Sequence, residues 1–408
     1  YASSANTLAN FAPVHTEGNN IIIGVTADDI TTDADDNTSL GIGSLYKITT
    51  GDKNTAIGYY AARSGTTASS NVAIGHEAHR LGLTGNYNVS IGQQANYSGT
   101  KDSNVVIGYQ AAVSAGTQTG SVSIGYRAAR YPQGNNNTAI GMHALLGASS
   151  PNTAYSNVAI GRSALEAATS ASQNVAIGNN AGDSITTAIR NVIIGAAAVE
   201  GSNTNESIII GAYAGFATTT AIDSSVIIGT YAAQSASPSK AVILGRQSGY
   251  YATGEGNTYM GYQSGYGDAT TNNGTYNTAV GYESMEKVQD ATENVAIGSQ
   301  ALWTNTSGDG NTAIGTNALY VSTTASYNTS VGYRSMFANT TSSYNTAFGA
   351  ESLKANTTGS FNTALGYKAL FSNVHGDRHT AVGYQALYNT VSADNDGYDT
   401  AVGYMAGK

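Results

Sequence analysis

His76 and His79 lie three residues apart, and His375, Asp377 and His379 share one short segment. Imidazole and carboxylate groups at such spacing suit a divalent metal. Neither group recurs elsewhere in the chain, so isolated side chains are the favoured reading and no metal ligand is assigned. Asp28, Asp29, Asp33, Asp35 and Asp36, and the run Asp394-Asn395-Asp396-Gly397-Tyr398-Asp399, offer the oxygen ligands that calcium takes. The second run matches only the first part of a calcium loop and lacks a distal Glu. Solvated acidic loops are therefore expected, with structural Ca2+ the one cofactor these residues would suit.

Nine tyrosines directly follow the glycine of a recurring short unit: Tyr59, Tyr109, Tyr126, Tyr262, Tyr282, Tyr333, Tyr367, Tyr384 and Tyr404. Aromatic faces suit the C–H surfaces of sugars and the hydroxyls can hydrogen-bond, which makes this column the candidate ligand-contacting surface. The plainer reading, which is favoured, is a structural aromatic ladder along the edge of a stack. Catalysis finds no such foothold. Serines are abundant, but no nucleophile elbow is present, and no carboxylate pair stands out for glycoside hydrolysis. Gly41-Ile42-Gly43 opens no helix and is no dinucleotide fingerprint. The chain is expected not to be an enzyme.

Composition narrows the setting of these residues. There are 49 Gly and 28 Tyr but only 4 Pro, 1 Trp and no Cys, and charged residues are 11%. That charged share is less than half of what soluble domains usually carry. Lack of cysteine excludes disulfides and Cys-ligated zinc. A net charge of −9, with 17 scattered Lys and Arg, disfavours nucleic acid. No apolar stretch approaches the roughly 18 residues of a membrane span. The start, Tyr1-Ala2-Ser3-Ser4-Ala5, has neither Met nor a signal peptide, so a processed chain or a piece of a longer one is expected.

What must position these side chains is a repeat. The glycine closing each unit recurs 23 times from Gly24 to Gly403, and thirteen of the 22 spacings are 17 residues. Residues 1–19 form a lead-in and 20–408 a single repeat domain. One residue before the glycine is always apolar, three before is always β-branched, and three after is always Ala or Ser. Four before is Asn in 17 of the 23 units. Apolar and β-branched residues at period two make a short strand, the glycine allows a bend, and Asn can bond its copies in neighbouring coils. A helix is opposed by a central glycine in every unit. The pattern therefore predicts an all-β, repetitive parallel β-solenoid. At about 4.8 Å per coil, 22 intervals would give a rod on the order of 105 Å.

Alternation also assigns faces. Residues one and three before the glycine are expected to fill the coil's own core, so the residue two before points the other way. That column is Ala in 12 units, Ser in four and Ile in five, and is never charged. A strand apolar on both faces is covered on both, by the rest of the same coil or by an identical chain around a symmetry axis, of which the second is the favoured expectation. Ile193, Ile209, Ile227 and Ile243 are the expected interface residues.

Units such as Asn71-Val72-Ala73-Ile74-Gly75-His76-Glu77-Ala78 and Asn294-Val295-Ala296-Ile297-Gly298-Ser299-Gln300-Ala301 resemble the YadA-like head repeats of trimeric autotransporter adhesins. The form at 379–387 is similar to repeats of bacteriophage tail fibres. The resemblance covers roughly residues 20–407 and implies a homotrimeric left-handed β-roll that presents surfaces for attachment to a cell-surface glycan or protein receptor. It thereby implies an extracellular, virion or bacterial-surface location. The unit is longer than the usual adhesin repeat, and neither neck, stalk, anchor nor fibre chaperone domain is recognisable. A secreted or appendage filament subunit is the alternative. An ice-binding solenoid is a minor one, suggested by Thr55, Thr138, Thr312, Thr329, Thr346 and Thr363 at three before the glycine, a column expected to point inward.

Overall fold

The computed structural model describes residues 19–24, 33–114, 118–131, 134–147, 152–201, 203–216, 221–268, 272–390 and 397–408. The lead-in to residue 18 and the acidic residues Asp28, Asp29, Asp394 and Asp396 lie outside them. The described residues form strands and turns with no helix, as expected of an all-β repeat.

The chain divides into two compact units, Tyr1–Asn203 and Thr204–Lys408. The first carries eleven strands, from β1 (Ile21–Ile23) to β11 (Val192–Ile194), and the second twelve, from β12 (Ile208–Ile210) to β23 (Thr400–Val402). In each unit every strand pairs in parallel with its sequence neighbour, one coil away, in the register the repeat dictates. Thr55 pairs with Val72 and Val72 with Val89 in the first unit; Thr312 pairs with Thr329 and Thr329 with Thr346 in the second. Each unit is thus a parallel β-solenoid.

Strands are three residues long, one shorter than the β-branched and apolar columns suggested, because the Asn four before the glycine keeps its carbonyl in the ladder but gives its N–H to a side-chain carboxamide of the preceding coil. Asn311 Nδ2 donates to Asn294 Oδ1 (3.1 Å) and to the loop carbonyl of Ala325 (2.7 Å). Its own Oδ1 accepts from the backbone N–H (3.0 Å) and Nδ2 (3.2 Å) of Asn328. Asn54, Asn71 and Asn88 repeat the pattern. A carboxamide offers an acceptor to the next coil and two donor hydrogens, one for its own loop and one for the preceding coil, from separate atoms. Ser207 and Ser225 keep the acceptor function where Asn is replaced. Asn311→Ala is expected to cost about 2–4 kcal/mol, since it orphans a buried N–H and a buried carbonyl. A lowered denaturation midpoint, with faster amide exchange at Asn328, is the measurement.

The core corrects the assignment of faces. The residue two before the glycine is buried within the single chain in nearly every coil, for example Ala56, Ala73, Val106, Ala176 and Ala313, whereas the residues one and three before are half-buried or exposed. Ile193, Ile209, Ile227 and Ile243 are fully buried in this way, so they form the chain's own core and no partner interface. The physical reason is volume. The interior of a coil is narrow and is shared with the residue four after the glycine, which faces the same column. Ala139, Ala159, Ala296, Ala313 and Ala364 are followed by Leu145, Leu165, Leu302, Leu319 and Leu370. Where the first position is large, the second is smaller: glycine beside Ile209, Ile243 and Tyr259 (Gly215, Gly249, Gly265), Ala233 beside Ile227 and Val199 beside Ile193. A Cβ on Gly265 would lie 2.5 Å from the Tyr259 ring. Leucine-sized or larger side chains in both columns of every coil would overpack this space.

Candidate functional surface

Because the small column is inside, the outward face of every strand carries the β-branched and apolar columns. Ile57 is 36% exposed, Ile228 39%, Ile297 40% and Phe348 59%. At these two positions the chain uses only Val, Ile, Leu, Met, Phe and Thr. The threonines expected to point inward, including Thr329, Thr346 and Thr363, lie on this outer face and are exposed or half-buried.

The tyrosines that follow the glycine stack along the coils. Tyr109 and Tyr126 lie 5.3 Å apart between ring centres and Tyr262 and Tyr282 5.4 Å, while Tyr367, Tyr384 and Tyr404 form a run at 5.4 and 5.1 Å. Tyr59 stacks on His76, and the Arg334 guanidinium lies over the Tyr333 ring. Ring faces that would receive a sugar are therefore largely taken up by neighbouring rings, leaving edges and hydroxyls outward. That arrangement favours the structural reading of the column.

Two further ladders escaped the reading of the sequence. Tyr327, Tyr344 and Phe361, five residues before their glycines, stack at 5.4 and 5.2 Å and are continued by Arg378 against Phe361 and Tyr398. Trp303, Tyr320 and Phe337, five after theirs, stack at 5.1 Å with planes within 4°. Lys354 and Lys368 place their ammonium groups near Phe371, and both pair with Glu351, whose carboxyl they hold below its usual range. The signal was present in the sequence as aromatic identity at a spacing of 17. Beside the tyrosines runs a polar ladder: Arg127 donates to Gln110, Gln110 to Gln94 and Gln94 to Glu77. It begins on a cation and ends on an anion, so each amide is polarised in one sense.

The histidine groups do not converge. His76 faces outward, whereas His79 is buried and occupies the position that is Leu in other coils. Asn96 Nδ2 donates to His79 Nδ1 (3.1 Å) and also approaches Ser90 Oγ (3.3 Å). Likewise His375 bonds Thr358, Asp377 accepts from the Ser360 N–H, and His379 is buried in the asparagine column. Among the described residues no group of three or more His, Asp or Glu is arranged to hold a metal ion. Beside Asp33, Asp35 and Asp36 the Asp52 carboxylate is engaged by the backbone, accepting the Asp35 N–H at 2.8 Å.

Burial alone pushes His79 down to about 4, which makes it a pH sensor for stability. An unfolded His takes up a proton below about 6.5, but the folded one resists until about 4. Between those values the unfolded state binds more protons, so stability is full above pH 6.5 and falls as the pH drops toward 4, by about 3 kcal/mol in all. His379 is lowered as well, through desolvation, so the decisive quantity is the difference between the parent and His79→Leu. The substituted chain is expected to lose most of this slope in denaturant titrations run from pH 7 to 4.

No family model matches the chain, and a search of curated proteins finds no match. What the geometry defines is a class: a parallel β-solenoid protein with aromatic and polar ladders on its surface and an uncharged outer strand face.

Proposed function

We propose that this chain is a segment of a non-enzymatic, trimeric attachment fibre, a tail-fibre shaft or an adhesin head, working outside the cell or on a virion or bacterial surface. One observation carries the reading: the outward strand face is uncharged in every coil, with an apolar residue one before each glycine and Val, Ile or Thr three before it. In the second unit alone, twelve strands at about 4.8 Å make a strip on the order of 50 Å long and 10 Å wide. Roughly 500 Å2 of uncharged surface, apolar along one of its two columns and mixed Val, Ile and Thr along the other, is a face that a symmetric neighbour would cover. The number three, the left-handed roll and the attachment role come from the resemblance to adhesin heads and tail fibres.

In this reading the fibre binds no cofactor for its work and acts by holding variable loops at a distance on a stiff scaffold. Light scattering on the full chain tests it directly. Three times 41.6 kDa is expected, and a stable monomer would sink the trimer. Binding to glycan arrays or whole bacteria favours attachment, whereas growth by end-to-end polymerisation favours the filament subunit. The outward threonines of the second unit give ice binding one specific observation in its favour, and absence of thermal hysteresis disposes of it.

A further inference from the structure

We infer that two neighbouring copies of this chain meet rim to rim through the aromatic ladders on either side of the strand face in the second unit, the position five before the glycine on one copy packing against the position one after it on the next. The inference rests on the self-association proposed above and adds to it which residues meet and at which level.

Symmetry supplies the first step. Copies related by rotation about an axis parallel to the stacking direction present the same face inward, so one rim of each meets the opposite rim of its neighbour at the same coil. Residue chemistry supplies the second. Tyr327 and Tyr333 flank the strand of one coil, Phe361 and Tyr367 that of another, and Tyr398 and Tyr404 that of the last. All six are between 41% and 75% exposed. Between the latter two levels, Arg378 would meet Tyr384, a cation opposite an aromatic face. The one level in this unit with cations on both rims has Lys240 and Arg246, and there Glu255 already neutralises Lys240 within the chain at 2.5 Å.

Stacking explains why a protein edge suits these rims better than a flat sugar. The ring faces are occupied along each ladder, so a newcomer reaches edges, and edge contacts are what a second aromatic ladder offers. Size agrees. With both rims included the face of this unit is on the order of 50 by 15 Å, or roughly 800 Å2 per copy divided between two neighbours, so that three such contacts around the axis together hold one trimer.

The experiment uses the full chain and the triple variant Tyr327→Ser, Tyr344→Ser, Phe361→Ser. Sedimentation equilibrium is expected to show an unchanged β signature and a dissociation constant raised at least tenfold. Photo-oxidation of mixed 14N- and 15N-labelled parent chains is expected to yield interchain dityrosine joining Tyr327 to Tyr333 and Tyr398 to Tyr404. A monomeric parent overturns the self-association and this inference together. An oligomeric parent whose variant associates equally well, or whose links join other levels, overturns the rim pairing alone. Should the variant lose its fold, the dityrosine map of the parent decides by itself.

Discussion

Ile227→Asp is expected to unfold the second solenoid unit around its strand, while Ile228→Asp, one residue along, leaves the coil folded and acts on association. The two side chains belong to β13 (Val226–Ile228) and point to opposite faces. Ile227 is fully buried, in register with Ile209 on one side and Ile243 on the other. A carboxylate there loses the apolar transfer energy, finds no cation and must take up a proton to remain inside. The cost is expected to exceed about 5 kcal/mol. Ile228 is 39% exposed on the outer face, where a carboxylate stays hydrated in a monomer and is opposed only by a neighbouring copy. Circular dichroism and light scattering on both variants read the two faces separately. Loss of fold in the Ile228 variant with retention in the Ile227 variant would reverse the assignment of inside and outside.

That assignment is where the sequence was hardest to read. The strands, their parallel register and the asparagine ladder follow from columns that a reader can count, because each is forced by a local requirement: β-branching for the strand, a carboxamide for the donor and acceptor pair. Alternation at period two, however, separates two faces without saying which is buried. Reading Val and Ile as core and Ala as interface followed hydrophobicity and ignored volume. The reciprocal sizes of Ala296 with Leu302 and Tyr259 with Gly265 identify the inner column, but only once the residue four after the glycine is known to face it across the coil. A second signal lay in what the columns avoid. Residues five before the glycine adopt positive φ in coil after coil, as at Lys53, Tyr87, Glu293 and Tyr327, and none of that column is β-branched. The candidate site was legible as a tyrosine column, yet the stacking that fills its ring faces depends on rotamers and coil spacing, which no single unit reveals.

The glycine column carries the other large effect. Gly315→Ala is expected to break the solenoid at its coil, with a cost above about 4 kcal/mol. Gly315 sits at φ +133, and a Cβ there would fall 2.6 Å from the carbonyl oxygen of Gly332 and 2.7 Å from its carbon. Both atoms are backbone, so no side chain can turn away. Relief requires the coils to separate, yet Gly315 N–H donates to Ile297 and Gly332 N–H to Ile314, each at 2.8 Å. Any shift therefore strains the ladder on both sides of the substitution. The φ of Gly315 adds to the obstacle, because +133 lies well outside the narrow left-handed region open to L-residues, whereas a φ near +58 lies within it. Glu293, at φ +58 and exposed, is in the left-handed region that an L-residue visits at a cost of about 1 kcal/mol. Glu293→Gly is accordingly expected to change stability by less than about 1 kcal/mol, the relief offset by the entropy of the unfolded chain. Coils interact mainly with their neighbours, so the defect at Gly315 should be local. Amide exchange is expected to lose protection from Val295 to Val331 and to retain it near Thr258 and Thr278. Uniform loss across the second unit would show instead that its coils melt as one cooperative block.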